Sequence, residues 1–437
     1  MTVQTLNELR SGESSIERGR VEKAAALRPS ALSPQPSTTP SPPNPPLEGE
    51  GSIAERDRAL RPSASSPQPS LSIRLAESGW LPDIVIRLGI RRLCAQRLRE
   101  EHGGDAVAAW SRFERCLEDL RASPIAIHTD AANEQHYELP PRFFELCLGR
   151  RLKYSSCLFA RGDESLDQAE EAMLGSYLAR AELADGQDIL ELGCGWGSLT
   201  LWMAQHFPQS RITAVSNSRP QREFIEARCR ESGFGNVTVI TCDVNCLELA
   251  PAQFDRVVSV EMFEHMRNYE RLMGNIACWL RANGKLFVHI FCHRELMYPF
   301  QTEGEDNWMG RHFFTGGLMP AADTLLWFQR DLHIEQQWRV AGTHYMKTAN
   351  AWLANHDAHR AEVLEVLREA YGNDALLWYQ RWRMFWMACA ELFGYRGGGE
   401  WLVGHYRFVK NQGPRSMVSA QFHVPGISNS TATGAPT

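Results

Sequence analysis

Five short apolar runs, at residues 189–192, 212–215, 237–240, 257–260 and 286–290, alternate with stretches whose apolar residues recur at helical spacing. Strands buried on both faces need such unbroken runs, so the pattern predicts a doubly wound, mostly parallel α/β sheet with helices on both faces, across about 165–292. At its start, Ser165 and Gln168 have the spacing of a capping box and open a helix in which Ala172, Met173, Tyr177 and Leu178 share a face. Farther upstream, Leu81, Ile84 and Leu88 recur at helical spacing within 80–101, while Arg87, Arg91, Arg92, Arg97 and Arg99 make the other face basic. This predicts a helix packed on its own domain with a solvated basic face, close to the acidic stretch 114–119; a helix lying on a membrane surface is the alternative. After Phe300 the chain turns aromatic and helical, and 401–410 reads as a last strand.

Composition changes this picture mainly at the ends. Residues 1–72 hold 11 of the 23 prolines, few large apolar residues, and a stretch at 26–37 that recurs at 59–70, so they read as a disordered tail, with a Pro-rich partner-binding arm as the other possibility. The expected organisation is therefore this tail, a helical N-terminal cap at 79–164, a main domain at 165–410 with a helical insertion at about 294–400, and a flexible tail at 411–437. With 46 Lys+Arg against 52 Asp+Glu the formal charge is -6, which argues against nucleic acid as a partner. The sequence lacks a bilayer-spanning apolar run and the charged, apolar and cleavable pattern of a signal peptide, which suggests a cytoplasmic protein. Eleven cysteines, odd in number and without a C-x-x-C pair, suggest reduced thiols and no zinc site.

The first candidate chemistry lies in Asp188-Ile189-Leu190-Glu191-Leu192-Gly193-Cys194-Gly195-Trp196-Gly197-Ser198, where a buried strand runs into glycines and then a helix. Glycines let a ligand touch backbone, although a tight strand-to-helix turn would use them too. The dinucleotide fingerprint needs a third glycine where Ser198 stands, so the G-x-G-x-G spacing favours a nucleoside other than NAD. No acidic residue ends the second strand; Asn217 and Gln221 could supply amide contacts there. Asp243 follows the third strand and could accept a hydrogen bond from an adenine amino group, or simply cap a helix. The fourth strand ends in Glu261-Met262-Phe263-Glu264-His265-Met266, where two carboxylates and an imidazole crowd one turn. Such crowding separates proton affinities and can create a general base, yet a salt-bridged helix start has the same pattern, and the spacing does not suit a metal. Trp378, Tyr379, Trp382, Phe385 and Trp386 read as core, or else as a cage for an apolar or cationic substrate.

Taken with Asn133-Glu134-Gln135-His136-Tyr137-Glu138, Leu152-Lys153-Tyr154-Ser155, Trp308, Phe313-Phe314-Thr315-Gly316-Gly317-Leu318-Met319-Pro320, His344-Tyr345 and Cys389-Ala390-Glu391-Leu392-Phe393-Gly394-Tyr395, these motifs resemble the S-adenosylmethionine-dependent methyltransferases of the cyclopropane-fatty-acid synthase superfamily. Within it, residues 80–410 look most like the plant coclaurine N-methyltransferases. The resemblance implies a class I methyltransferase-type fold. It also implies that Tyr154, Ser155, Gly193, Gly195, Asn217, Gln221, Asp243 and Val244 hold S-adenosylmethionine, with Glu261, Glu264, His265, His289, Tyr345 and Cys389 as catalytic candidates. Two substrate classes follow from it, a small-molecule amine or the unsaturated acyl chain of a phospholipid, the latter with possible peripheral membrane contact. Cyclopropane synthases also bind bicarbonate as base, at positions that fall here on Ser156, Glu264, His289 and Tyr345. Their cysteine is displaced to Cys157 in this chain, and N-methyltransferases carry Glu at the position of Glu261, so the resemblance favours the amine.

Overall fold

The computed structural model describes residues 70–127, 139–304 and 307–411, which leaves nearly all of both expected tails and the motif at 133–138 outside the described residues. Five parallel strands form the centre of the sheet: β1 (Asp188–Leu192), β2 (Arg211–Ser216), β3 (Val237–Thr241), β4 (Phe254–Val260) and β5 (Leu280–His293). Two short strands, β6 (Tyr298–Pro299) and β7 (Leu318–Met319), pair apart from it. The main sheet is completed by β8 (Leu332–Val340) and β9 (Trp401–Lys410), giving the order β3, β2, β1, β4, β5, β9, β8 with the last two antiparallel to their neighbours.

All five residues of β1 are buried, which is why the run carries no alternation. Alternate side chains feed two cores: Ile189, Val258 and Phe287 join one hydrophobic cluster, whereas Leu190, Val257, Leu286 and Val288 join another. This is the two-faced burial that the doubly wound pattern requires. Helices supply both layers. Among the N-terminal elements are α1 (Leu71–Glu77), α2 (Asp83–His102), α3 (Ala106–Ala122) and α4 (Pro141–Cys147). The sheet-covering helices include α5 (Leu166–Ala181), α6 (Ser198–His206), α7 (Arg219–Ser232) and α8 (Tyr269–Trp279). Near the C-terminus lie α9 (Trp308–His312), α10 (Gly342–Ala358), α11 (Arg360–Tyr371) and α12 (Ala375–Gly394). The capping box that opens α5 is present, Ser165 and Gln168 each bonding the other's backbone.

Three features differ from the sequence reading. Folded structure begins earlier than residue 79, because α1 is anchored to α12 by Glu77, whose carboxylate meets Arg381 at 2.9 Å. Helix α2 is rotated from the expected face: it buries Ile86, Cys94 and Leu98, Arg87 and the half-exposed Arg91 reach Glu391 of α12, and Ile84 and Leu88 are exposed, while Arg92 and Arg99 remain exposed as expected. The buried apolar stripe is thus Ile86, Cys94 and Leu98, and the partner of the arginines is a carboxylate some 300 residues away, not the acidic stretch at 114–119. Strand β8 was not expected. It lies at the sheet edge, where Glu335 meets Lys285 and Arg407, so its polar side chains obscure the strand pattern.

Candidate active site

Strands β1 and β4 are neighbours although β2 and β3 intervene in sequence, so their carboxyl ends open a crevice at the point where strand order reverses. Gly193, with φ 78°, stands where a Cβ would lie 2.6 Å from Met262 Cβ. Gly195, with φ 52°, has nothing within 4 Å of a built Cβ, so a side chain there would fill the crevice. The crevice is lined by Gly193, Gly195, Asn217, Gln221, Val244, Glu261 and His265. Gln221 is buried; its Oε1 accepts the Ser216 hydroxyl at 2.6 Å and its Nε2 has no protein partner. A second cavity, lined by Tyr154, Ser155, Gly193, Gly195, Trp196, Ser198 and Glu261, contains two further unpartnered buried atoms, Trp196 Nε1 and Ser198 Oγ. Backbone clearance at Gly195 and these orphaned polar atoms fit a nucleoside with a polar tail. Asp243 spends one carboxylate oxygen on the Asn245 N–H at 2.7 Å, the capping role, while Val244 beside it lines the crevice.

Glu261 lies on the wall of both cavities and of a third. It is a non-glycine residue with φ 48°, a conformation that disfavours a side chain and is retained where surroundings fix it. Its N–H donates to His289 O at 2.8 Å. Its carboxylate accepts three bonds: Ser156 N–H at 2.9 Å and His289 Nε2 at 3.0 Å on Oε1, and the Tyr345 hydroxyl at 2.6 Å on Oε2. Burial pushes this carboxyl upward, opposed by the charge of the fully buried Lys153 and then by the Ser156 and Tyr345 bonds. Lys153 itself donates to Ser155 Oγ and to Ser156 O, holding the segment that presents the Ser156 amide.

Glu264, expected to share the chemistry, is completely buried, with Oε1 accepting Phe291 N–H at 2.7 Å and Oε2 without a protein partner. Burial first, and the Glu261 charge second, hold it well above the usual carboxylate range. A neutral acid cannot take up a proton, so His265 is the better candidate base. His265 lines the crevice and the third cavity, with its ring 4.7 Å from Phe314. That third cavity is walled by Tyr154, Phe291, Phe300, Phe314, Tyr345, Trp352, Phe385 and Phe393, with Cys389 among them. Burial and then Glu261 push the Cys389 thiol up, which favours its protonated form. From the aromatic cluster Phe385 alone reaches this wall, while Trp382 and Trp386 are core. His289 stands behind Glu261, with Nδ1 2.8 Å from the Tyr177 hydroxyl and 2.9 Å from His405 Nε2. Sequence reasoning assigned no role to Lys153, Tyr177 or His405; the only signal was that Lys153 falls within the Leu152–Ser155 motif.

The sequence profile of the mycolic acid cyclopropane synthetase family matches residues 126–397. The chain belongs to this family. Within reach of the family, (S)-coclaurine N-methyltransferases from Thalictrum flavum subsp. glaucum and Papaver somniferum are 35% and 34% identical to it, each over 77% of this chain and over 95% and 97% of their own. A crystal structure of coclaurine N-methyltransferase bound to N-methylheliamine and SAH superposes with a TM-score of 0.74 at 35% identity, covering 77% of this chain and 98% of that one. The family resemblance and class I fold expected from the sequence are thus borne out.

Proposed function

We propose that the protein is an S-adenosylmethionine-dependent methyltransferase that methylates the nitrogen of a small amine. The likeness to coclaurine N-methyltransferases over most of both chains supports this, and one observation carries the choice between amine and alkene. Ser156, His289 and Tyr345 occupy three of the four positions that the resemblance assigns to bicarbonate, and all three donate to the Glu261 carboxylate. Protein carboxylate therefore takes the donors that a bound anion would need. It also turns the site toward cations.

S-adenosylmethionine, when bound, supplies a sulfonium methyl that is already electrophilic. The glycine loop, Asn217, Gln221, Val244, Tyr154 and Ser155 would hold it, with Asp243 at the rim. What the chain adds is alignment and a fitting environment for the nucleophile. An amine is mostly protonated near neutrality, and Glu261 together with the aromatic wall favours entry of that cation. His265 accepts its proton, which frees the nitrogen lone pair, while Glu264, completely buried and on none of the three cavity walls, holds the turn through its bond from Phe291 N–H. Among the described residues no helix is long and apolar enough to cross a membrane. Arg87 and Arg91 pair with Glu391, which neutralises part of the basic face on which the membrane-contact expectation rested, while Arg92 and Arg99 stay exposed. A cytoplasmic location stays part of the proposal, consistent with eleven unbonded cysteines.

The test is release of S-adenosylhomocysteine when the purified protein meets S-adenosylmethionine and either cyclic secondary amines or unsaturated phospholipid vesicles. Turnover with an amine and none with vesicles is expected; the reverse overturns the reading.

A further inference from the structure

Behind Glu261 runs a file of buried polar side chains that the reaction itself does not use. His289 of β5 and His405 of β9 are directly opposed in the sheet register, and both are completely buried. His405 Nδ1 lies 2.6 Å from Arg180 NH1 on α5, and its Nε2 lies 2.9 Å from His289 Nδ1. A guanidinium only donates, so His405 Nδ1 must accept. A neutral His405 then carries its proton on Nε2 and donates to His289 Nδ1. His289 Nδ1 is in turn an acceptor, which the Tyr177 hydroxyl at 2.8 Å also satisfies, and the His289 proton sits on Nε2, facing Glu261 Oε1 at 3.0 Å. Every proton in the file points toward Glu261. Because the outer end is a cation with no lone pair, the file cannot carry a proton away.

From this geometry we infer that His405 and Arg180 are positioning residues that keep His289 neutral, so that Glu261 retains its negative charge for the substrate cation. A protonated imidazole at His289 would form an ion pair with Glu261 and cancel that charge. To become protonated His289 must bind a proton at Nδ1, the atom already covered by the His405 N–H and the Tyr177 O–H. Other groups act in the same sense. Burial, and then the charges of Lys153 and Arg180, hold His289 well below the ordinary imidazole value, and burial does the same for His405. Around Glu261 and His289 stand Lys153 and Cys157 before α5, Tyr177 and Arg180 on α5, Glu264 after β4, Tyr345 on α10, Cys389 on α12 and His405 on β9. Of these, His405 alone both opposes His289 across a strand pair and receives a bond from a guanidinium.

The inference rests on the amine reading for its kinetic consequence but not for its structural one. The experiment compares full-length His405→Gln and His405→Glu. Glutamine can accept from Arg180 through its carbonyl and donate to His289 through its amide, reproducing the neutral histidine. Glutamate also accepts from Arg180 but offers His289 an acceptor, which draws a proton onto Nδ1. Nitrogen-15 spectra of the histidine rings, recorded without substrate, should show His289 Nδ1 bare in the wild type and His405→Gln, and protonated in His405→Glu. With an accepted cationic amine, KM should rise roughly tenfold or more in His405→Glu with a smaller change in kcat, and stay within about twofold in His405→Gln. A proton on His289 Nδ1 in the wild type overturns the inference, as does a folded His405→Glu with Nδ1 bare and KM unchanged. Equal losses in both variants would also overturn it, by reducing His405 to a packing residue. If no amine is accepted, the amine reading falls, while the spectra still decide the state of His289.

Discussion

Replacing Glu261 by Gln removes one charge and little else. Oε1 takes two donors, Ser156 N–H and His289 Nε2–H, whereas Oε2 takes only the Tyr345 hydroxyl. The amide can therefore keep its carbonyl oxygen toward the first two and turn its NH2 to Tyr345, whose oxygen can accept, so folding should be preserved. What disappears is the attraction for a cationic amine. With the Glu261 side chain only 8% exposed, solvent screening is weak. A pair of unit charges about 5 Å apart at an effective dielectric of about 20 interacts by about 3 kcal/mol, so kcat/KM should fall roughly a hundredfold, mostly through KM. The pH dependence supplies a second check. The Glu261 carboxyl is raised, so its charged form is present above that raised value and is lost as pH falls through it. The ratio of wild-type to variant kcat/KM should therefore be greatest at high pH and shrink toward low pH. Titration of the amine itself affects both enzymes and cancels. Steady-state kinetics across pH, with thermal melting as the control, make the measurement. A ratio that is within about threefold of unity and flat with pH would refute the reasoning.

The remaining predictions concern neighbouring parts of the site. Gly195→Val, which puts a branched side chain into the open crevice, should abolish S-adenosylmethionine binding by calorimetry, with some loss of melting temperature because a branched residue is strained at φ 52°. His265→Ala should lower kcat by roughly a hundredfold, whereas Glu264→Gln, an amide replacing a carboxyl already held neutral, should cost less than about tenfold in the same assay. Cys389→Ala should leave kcat within about threefold, because its thiol is kept protonated, and the enzyme should resist thiol-directed inactivation at that position. Deleting residues 1–69 should leave melting and turnover unchanged if the tail is dispensable, as its composition suggests.

The central sheet could be read from the sequence because its parallel strands are buried on both faces and so leave unbroken apolar runs. The glycine loop and Glu261-to-Met266 could be found because the chemistry sits in contiguous stretches at strand ends. Other features depend on contacts distant in sequence. Nothing local to Arg87 says that it turns toward Glu391, and the edge strand β8 carries too many polar side chains to stand out. The meeting of His289 with His405 depends on an antiparallel register between strands more than a hundred residues apart. The charge states were hidden for the same reason. Glu264 and Glu261 look alike in the motif, and only the packing shows that one is buried beside Phe291 with a single donor, while the other faces three donors and a lysine.

The central claim is that a methyl group passes intact to nitrogen. The most direct measurement uses S-adenosylmethionine bearing a trideuterated methyl, supplied with a mixture of a cyclic secondary amine and an unsaturated phospholipid, followed by mass spectrometry of all products. The account predicts an N-methylated amine that keeps all three deuteriums and unaltered acyl chains. A lipid product that has gained a methylene with only two deuteriums, and an unmodified amine, would contradict it.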